Sequence, residues 1–351
     1  MSNNTYITIM AGGIGSRFWP ASTAEHPKQF LDILGIGKSL LQMTYERFLP
    51  LTTPAHVLIL TNERYKQLIA KQLPDVPEEN ILCEPSMNNT APAIAYAALR
   101  LKAMDPDGVF VVAPSDHVIL KEERFRQKIQ QALNYAAGQN ALLTLGIRPT
   151  RPATGYGYIE RGNEVKADIY SVLRFVEKPD KETAMAYLSA QRYLWNAGIF
   201  IWSVQSILSA FRKFSPGILE TLETDIYNTV AESEFIKKHY PQTEKISIDY
   251  AILERADNVF TIPADIGWSD LGTWNALYEF SDKDKSHNAL FAEKVWLKDS
   301  RENLIRLPKG KQLVAKGLQG MIVVDEGDTL LIFPREDEQE IKKIRKEVMG
   351  D

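Results

Sequence analysis

The sequence holds one cysteine, Cys83, so no disulfide can form within the chain. Cys83 lies in an apolar stretch and reads as a small buried side chain rather than a nucleophile. The five histidines are dispersed and show no zinc spacing. No Ser-His-Asp or Cys-His arrangement stands out. No apolar run approaches the ~20 residues that span a bilayer, and the opening MSNNTYITIM has neither the basic start nor the long apolar stretch of a signal peptide. The formal net charge is only -4, which gives no general attraction to nucleic acid or to anionic membrane. Any hold on phosphate must come from locally placed cations and backbone N–H groups. A cytoplasmic protein with neither nucleic-acid nor membrane partner is the expectation.

What the chain has is ordinary globular material: 351 residues, 44% hydrophobic and 25% charged, enough for a large core and two domains. Up to about residue 145, apolar strand-like runs alternate with helical stretches. Tyr6–Met10, His56–Leu60, Asn80–Cys83, Gly108–Ala113 and Ala141–Leu145 read as strands. Leu40–Leu49, Glu63–Leu73, Thr90–Met104 and Glu122–Ala137 read as helices. This alternation predicts an α/β fold: a Rossmann-like, mixed, mainly parallel sheet with flanking helices. The middle is more mixed. Ile169–Val176 and Ile199–Trp202 read as strands, and Lys181–Ala190, Val204–Phe214, Thr221–Lys238 and Ile248–Arg255 as helices. After Lys285 come short strand-like pieces separated by tight turns, then a charged helix over Glu336–Val348. The expected division is a catalytic domain over 1–284 and a small β-rich domain over 285–351, of a form that a short left-handed β-helix would satisfy.

Six segments carry groups suited to chemistry. Ala11-Gly12-Gly13-Ile14-Gly15-Ser16-Arg17 follows the first strand, and such glycines let backbone N–H groups approach a phosphate. The last glycine of a dinucleotide fingerprint is missing, and Thr61-Asn62 stand where a dehydrogenase needs an acid at the end of its second strand. No Walker Gly-Lys-Ser/Thr falls in the right spacing. Arg17 and Lys28 instead place two cations close to the glycines. Asp116, in Ala113-Pro114-Ser115-Asp116-His117, ends an apolar strand, where ligands of open α/β sheets gather. Asp270 stands in Gly267-Trp268-Ser269-Asp270-Leu271-Gly272-Thr273-Trp274. Each aspartate alone reads equally as a cap or turn residue; together they are what a Mg²⁺–triphosphate site requires. Phe175-Val176-Glu177-Lys178-Pro179 ends a strand with a carboxylate for sugar hydroxyls and an ammonium for a phosphate. Thr154-Gly155-Tyr156-Gly157-Tyr158 and Trp195-Asn196-Ala197-Gly198-Ile199 combine glycine, aromatic and amide groups suited to carbohydrate, or to a plain turn.

The order of these segments is more specific than any one of them. AGGIGSRFWPAS, HPKQF, EPSMNNTAPAI, APSDH, TGYGYI, FVEKP, NAGIF, SIDYAILE and GWSDLGTW, spread over residues 5–335, together resemble the mannose-1-phosphate guanylyltransferase family of sugar nucleotidyltransferases. The resemblance implies a nucleotide-diphospho-sugar transferase fold and transfer of GMP from GTP to mannose 1-phosphate. It implies that Ala11, Gly12, Gly13 and Gly15 line the nucleotide and that Glu84 reads the base. Arg17 and Lys28 would hold the triphosphate, and Asp116 and Asp270 would bind Mg²⁺. Lys178 would hold the sugar phosphate, with Gly155, Glu177 and Asn196 on the sugar. A homo-oligomer, in the simplest case a dimer, is expected.

The near alternatives are another sugar 1-phosphate (heptose or glucose) or another nucleotide. A nucleotide-sensing relative without activity is the distant one, and it predicts loss of Lys28, Asp116 or Asp270, all of which are present. Many relatives carry Gly-Arg-Asn-Thr where Met87-Asn88-Asn89-Thr90 stands here, which removes a possible arginine contact. The isomerase domain that bifunctional relatives append past the tail is not expected here.

Overall fold

The computed structural model of the chain describes residues 4–13 and 16–350, with the side chains of Ser16 and Met349 outside the description. Two compact units share the chain discontinuously. The first takes the chain up to Gly12, Tyr45–Ser115 and Ile119–Trp268. The second takes Gly13–Thr44, Asp116–Val118 and Ser269 onward.

A nine-stranded sheet forms the centre of the first unit. In chain order its strands are β1 (Thr5–Met10), β2 (Val57–Asn62), β3 (Ile81–Glu84), β4 (Val109–Pro114), β5 (Leu142–Ile147), β6 (Tyr158–Lys166), β7 (Ile169–Val176), β8 (Tyr193–Ser203) and β9 (Val259–Pro263). Their order across the sheet is β3-β2-β1-β4-β8-β5-β9-β7-β6, and the start of β6 also pairs with β8. β3, β2, β1 and β4 are mutually parallel, as are β5 and β9, while β8 runs against both β4 and β5. β7 runs against β9 and β6 against β7, so only β7 and β8 oppose the common direction. The sheet is the mixed, mainly parallel one that the alternation predicts.

The apolar runs are buried because helices cover them. α1 (Thr90–Met104) is alanine-rich and buried at every position from Ala91 to Leu101. Its small side chains let it lie close to Leu58, Leu60, Phe110 and Val112 of the sheet, and Ile207, Leu208 and Phe211 of α2 (Val204–Phe214) complete this core. Trp202 of β8 is fully buried, edge-on to Phe110 at 6.1 Å and stacked on Phe200 at 5.4 Å. Emptying such a site costs about 3–5 kcal/mol. Two strands of this sheet escape the sequence reading. β6 reads YIERGNEVK, whose charges line an exposed strand end, and β9 is a run of only five residues, VFTIP. Ile248–Arg255, expected as an ordinary helix, contains one π-helical turn over Asp249–Leu253.

The second unit holds β10 (Ala289–Phe291), β11 (Lys294–Lys298), β12 (Leu304–Arg306), β13 (Gln312–Lys316), β14 (Met321–Glu326) and β15 (Thr329–Pro334). β10, β12 and β14 stack in parallel register, Ala289 on Leu304 on Ile322, and β11 pairs in parallel with β13. These are successive coils of one stack, closed by the antiparallel pair β14–β15. Inward-facing Ala289, Leu304, Ile322 and Val324 pack with Phe18, Trp19, Trp274 and Leu277. Buried Asn288 and Asn303 bridge the corners: Asn303 Nδ2 donates to Asn288 Oδ1 at 2.9 Å and to the Leu318 carbonyl at 2.9 Å. No helix among the described residues is long and apolar enough to cross a membrane.

Candidate functional site

At the end of β1, the Ala11 N–H donates to the Leu60 carbonyl at 2.7 Å and its carbonyl accepts from Thr61 Oγ1 at 3.3 Å, so β2 fixes the chain as it leaves the sheet. Gly12 follows. A Cβ there would lie 3.6 Å from Glu84 Oε1, which places the glycine and the carboxylate side by side. Glu84 ends β3, and its carbonyl accepts from Asn62 Nδ2 at 3.2 Å. Its Oε2 accepts the phenolic hydrogen of Tyr240, a fully buried residue. Burial pushes the Glu84 carboxyl up to about 7, and the Tyr240 hydrogen bond works in the opposite direction. The sequence names Gly12 and Glu84; it gives no sign of Tyr240.

A second group in the same unit gathers Gly157, Glu177, Lys178, Asn196 and Asp249. The Asn196 N–H donates to the Gly157 carbonyl at 2.8 Å. A Cβ on Gly157 would sit 2.5 Å from Glu177 Oε2, so only glycine lets the carboxylate lie this close to the backbone. Glu177 pairs through Oε1 with its neighbour Lys178, which adopts the left-handed φ of +46° immediately before Pro179. Strained backbone of this kind concentrates at binding sites. The amide of Asn196 is oriented from both ends. Its Oδ1 accepts from Thr144 Oγ1 at 2.9 Å and the Gly198 N–H at 3.1 Å, while its Nδ2 donates to Asp249 Oδ1 at 3.1 Å. Burial, and after it the Glu177 carboxylate, pushes Asp249 up to about 7. Gly155 is exposed, with nothing within 4 Å of a Cβ built on it. Of the two glycines, only Gly157 has members of this group within 4 Å of a built Cβ.

Beside Asn196 three rings meet: Tyr156 lies edge-on to Trp195 at 5.0 Å and to Trp268 at 5.3 Å, and the Arg151 guanidinium stands 5.4 Å over Tyr156. Asp249 and Trp268 fall inside segments that the sequence singles out, SIDYAILE and GWSDLGTW. Burial and partners, not spacing, give them their place.

In the second unit Lys28 is the organising residue. Its side chain is 5% exposed, and Nζ pairs with Asp116 Oδ2 at 2.9 Å. The same ammonium donates to the carbonyls of Asp270 at 2.8 Å and Leu271 at 2.9 Å. Asp116 also has His117 Nε2 at 3.8 Å. Burial raises the Asp116 carboxyl, but the Lys28 ammonium and His117 outweigh it and hold it below the usual aspartate value. The carboxylate of Asp270 folds back onto Gly272, accepting its N–H at 3.2 Å, and the turn places Leu271 at φ +40°. Gln29 Nε2 donates to the Gly13 carbonyl at 2.8 Å. Arg17 is exposed on the short helical turn Ser16–Phe18. Gly15 lies outside the described residues.

Residues 7–287 match the family model described as nucleotidyl transferase. The chain is 38% identical over 343 residues to a mannose-1-phosphate guanylyltransferase of Salmonella muenchen, covering 96% of this chain and 72% of that protein. It is 36% identical over 359 residues to the mannose-1-phosphate guanylyltransferase of Escherichia coli K12, covering 99% of this chain and 74% of that one. Among solved structures, one from Thermus thermophilus, described as mannose-1-phosphate geranyltransferase, superposes with a TM-score of 0.88 at 29% identity, covering 99% of each chain.

Proposed function

The chain belongs to the nucleotidyl transferase family, and we propose that within it the chain transfers GMP from GTP to mannose 1-phosphate, giving GDP-mannose and pyrophosphate. Relatives at 36% and 38% identity that bear the name of this activity support the choice of sugar and nucleotide. The observation that carries the guanine reading is the carboxylate of Glu84 beside Gly12. Guanine presents N1–H and N2–H₂ as neighbouring donors, and a carboxylate offers two acceptors in matching geometry.

An oxygen of the sugar phosphate attacks the α-phosphorus of GTP. The new P–O bond forms as the bond to the bridging oxygen breaks, and the β- and γ-phosphates leave as pyrophosphate. The nucleophile is a phosphate monoester with a second pKa of about 6, so it is already ionised at neutral pH and needs no general base. The difficulty is repulsion between two polyanions, which makes positioning and charge neutralisation the main contributions.

Roles divide accordingly. Backbone at Ala11, Gly12, Gly13 and Gly15 takes the nucleotide and Glu84 its base. Arg17 and Lys28 serve the triphosphate. Lys178 holds the sugar phosphate, and Glu177, Asn196 and Gly155 take the sugar, joined by Gly157 and Asp249. Asp116 and Asp270 are the residues that would hold Mg²⁺. Both supply hard oxygen, and both touch the Lys28 ammonium, Asp116 through its carboxylate and Asp270 through its carbonyl. Among the described residues no group of three or more acidic, histidine or cysteine side chains could hold an ion unaided. That suits Mg²⁺, which takes one or two carboxylates and completes its shell with phosphate and water. When bound, the ion supplies positive charge to the phosphate oxygens.

The proposed form is a cytoplasmic homodimer. Trp296 and Val314, 52% and 65% exposed, stand directly opposite each other on β11 and β13 and offer a contact face. Pyrophosphate release, measured with GTP, ATP, dTTP and UTP against mannose, glucose and heptose 1-phosphates, tests the assignment. GTP with mannose 1-phosphate is expected to exceed every other pair by at least about tenfold in kcat/KM. A different preferred pair would overturn it.

A further inference from the structure

Glu84 does not hold its carboxylate alone. Tyr240, 156 positions later, donates its phenolic hydrogen to Oε2. That leaves Oε1 as the oxygen facing Gly12. The Tyr240 ring is fully buried and lies edge-on to Tyr96 at a centroid distance of 6.4 Å. Tyr96 is held in turn by its hydroxyl on Glu232 Oε1 at 2.9 Å, and Glu232 pairs with the buried Arg100. The phenol therefore has little freedom to leave the carboxylate.

The backbone beneath Tyr240 is fixed from another segment. Asn88, fully buried, donates from Nδ2 to the Tyr240 carbonyl at 3.0 Å, the Thr243 carbonyl at 3.1 Å and Thr243 Oγ1 at 2.9 Å. Its Oδ1 accepts from Ser86 Oγ at 3.1 Å. These bonds clamp the short helical turn Tyr240–Gln242 onto the loop that leaves Glu84. The neutral amide of Asn88 thus spends its hydrogen bonds inside the protein. Thr90, two residues on, accepts the Ile248 N–H at 2.9 Å, directly before Asp249. One loop therefore anchors the segments that carry both Tyr240 and Asp249.

We propose that Tyr240 is the positioning residue for the base-reading carboxylate of Glu84, and that Asn88 holds Tyr240 in place. The inference rests on the assignment of Glu84 to the guanine edge. The phenol fixes the rotamer of the carboxylate and favours its ionised, acceptor-only form against burial. A protonated Glu84 would turn an O–H donor toward the donor edge of guanine. Selectivity for GTP thus depends on a hydroxyl that never touches the nucleotide.

Other titratable groups stand around Glu84. Burial, and after it Glu84 itself, raises Tyr240 well above the usual phenol value. Burial also pushes Cys83, on Glu84's own strand, up to about 11, and the charges of Glu63, Lys66 and Lys237 act on that thiol. His239, beside Tyr240 in sequence, stacks on Phe235 at 4.4 Å. Gly12 and Asn62 bring no charge.

The test is the pH dependence of kcat/KM for GTP in wild type, Tyr240→Phe and Glu84→Gln, with the GTP-to-dTTP ratio measured alongside. Tyr240→Phe deletes one oxygen and keeps the buried ring. The expected result is a loss of roughly tenfold in kcat/KM for GTP at pH 7, falling on KM rather than kcat. The midpoint of the profile should also move upward by about one pH unit. A merely structural role would not move that midpoint. A profile unchanged in Tyr240→Phe, while Glu84→Gln collapses the GTP preference, overturns the role of Tyr240 and leaves the base assignment standing. A GTP preference unchanged in Glu84→Gln overturns both.

Discussion

Lys28 and Asp116 form an ion pair at 2.9 Å whose lysine is 5% exposed and whose aspartate is 35% exposed. The remaining hydrogens of the ammonium go to the carbonyls of Asp270 and Leu271. An ammonium has three donors, and all three bonds hold the segments carrying the two proposed metal ligands. Lys28 thus has a structural duty besides any contact with phosphate. Lys28→Met should lower stability by about 1–3 kcal/mol, because it leaves two carbonyls and a carboxylate without their donor. It should also lower kcat/KM by at least about 10²-fold. Lys28→Arg should rescue little, since a planar fork does not match three converging acceptors. Thermal melting and steady-state kinetics on both variants check this, and a fully active Lys28→Met would remove the residue from the chemistry.

The metal assignment makes a sharper demand on the aspartates. Asp116→Asn and Asp270→Asn should each cost about 10²–10³-fold in turnover while the protein still folds. Chelation should abolish wild-type activity, and Mg²⁺ should restore it. Turnover that survives both chelation and the asparagine variants would sink the two-aspartate site.

Gly157 and Gly155 separate a built contact from a neighbouring glycine. A methyl at Gly157 meets Glu177 Oε2 at 2.5 Å, whereas at Gly155 it meets nothing within 4 Å. Gly157→Ala should displace Glu177 and raise KM for mannose 1-phosphate several-fold, with KM for GTP little changed. Gly155→Ala should keep the fold intact. Equal effects from the two variants would show that the close approach of Glu177 has no role.

Asp249 gives a stability prediction whose sign follows from burial. Its folded value, about 7, lies above the usual 3.8. The fold therefore favours the protonated acid, and stability from this group is lost as pH rises through that interval. Asp249→Asn mimics the protonated form. The melting temperature of the variant relative to wild type should be higher at pH 8 than at pH 4, by at least about 2–4 °C for each kcal/mol that the buried charge costs. A difference that does not depend on pH would place the carboxylate in water.

Much of this was legible in sequence because it is local. Apolar runs β1 and β4, followed by Gly12 and Asp116, announce a sheet edge carrying polar groups. The alanine-rich stretch Thr90–Met104 announces a helix buried against that sheet, with the bounds the structure gives. What was not legible depends on contacts far along the chain. Tyr240 reaches Glu84 across 156 positions, and Asn88 reaches Thr243 across 155. No spacing rule connects residues so distant. Thr154-Gly155-Tyr156-Gly157-Tyr158 offers two glycines with identical local credentials, and only the position of Glu177 distinguishes them. β6 was hidden because its exposed charges break the apolar alternation, and Asp249 because its π-helical turn looks like any short amphipathic helix.

The dimer proposal concentrates on β11 and β13. Trp296→Glu should reduce the dimer fraction seen by light scattering at micromolar concentration without changing the melting of the monomer. A wild-type protein that is monomeric at all concentrations would contradict it.

The most direct test of guanylyl transfer is the ratio of kcat/KM for GTP to that for dTTP, with mannose 1-phosphate as acceptor, in wild type and Glu84→Gln. Glutamine turns an amide donor toward the donor edge of guanine, and an unpaired buried polar group costs about 1–3 kcal/mol. The ratio should strongly favour GTP in wild type and fall roughly tenfold to a hundredfold in the variant. ITP, which keeps N1–H but lacks the N2 amine, should lose less. A ratio that is the same in both proteins would contradict the account.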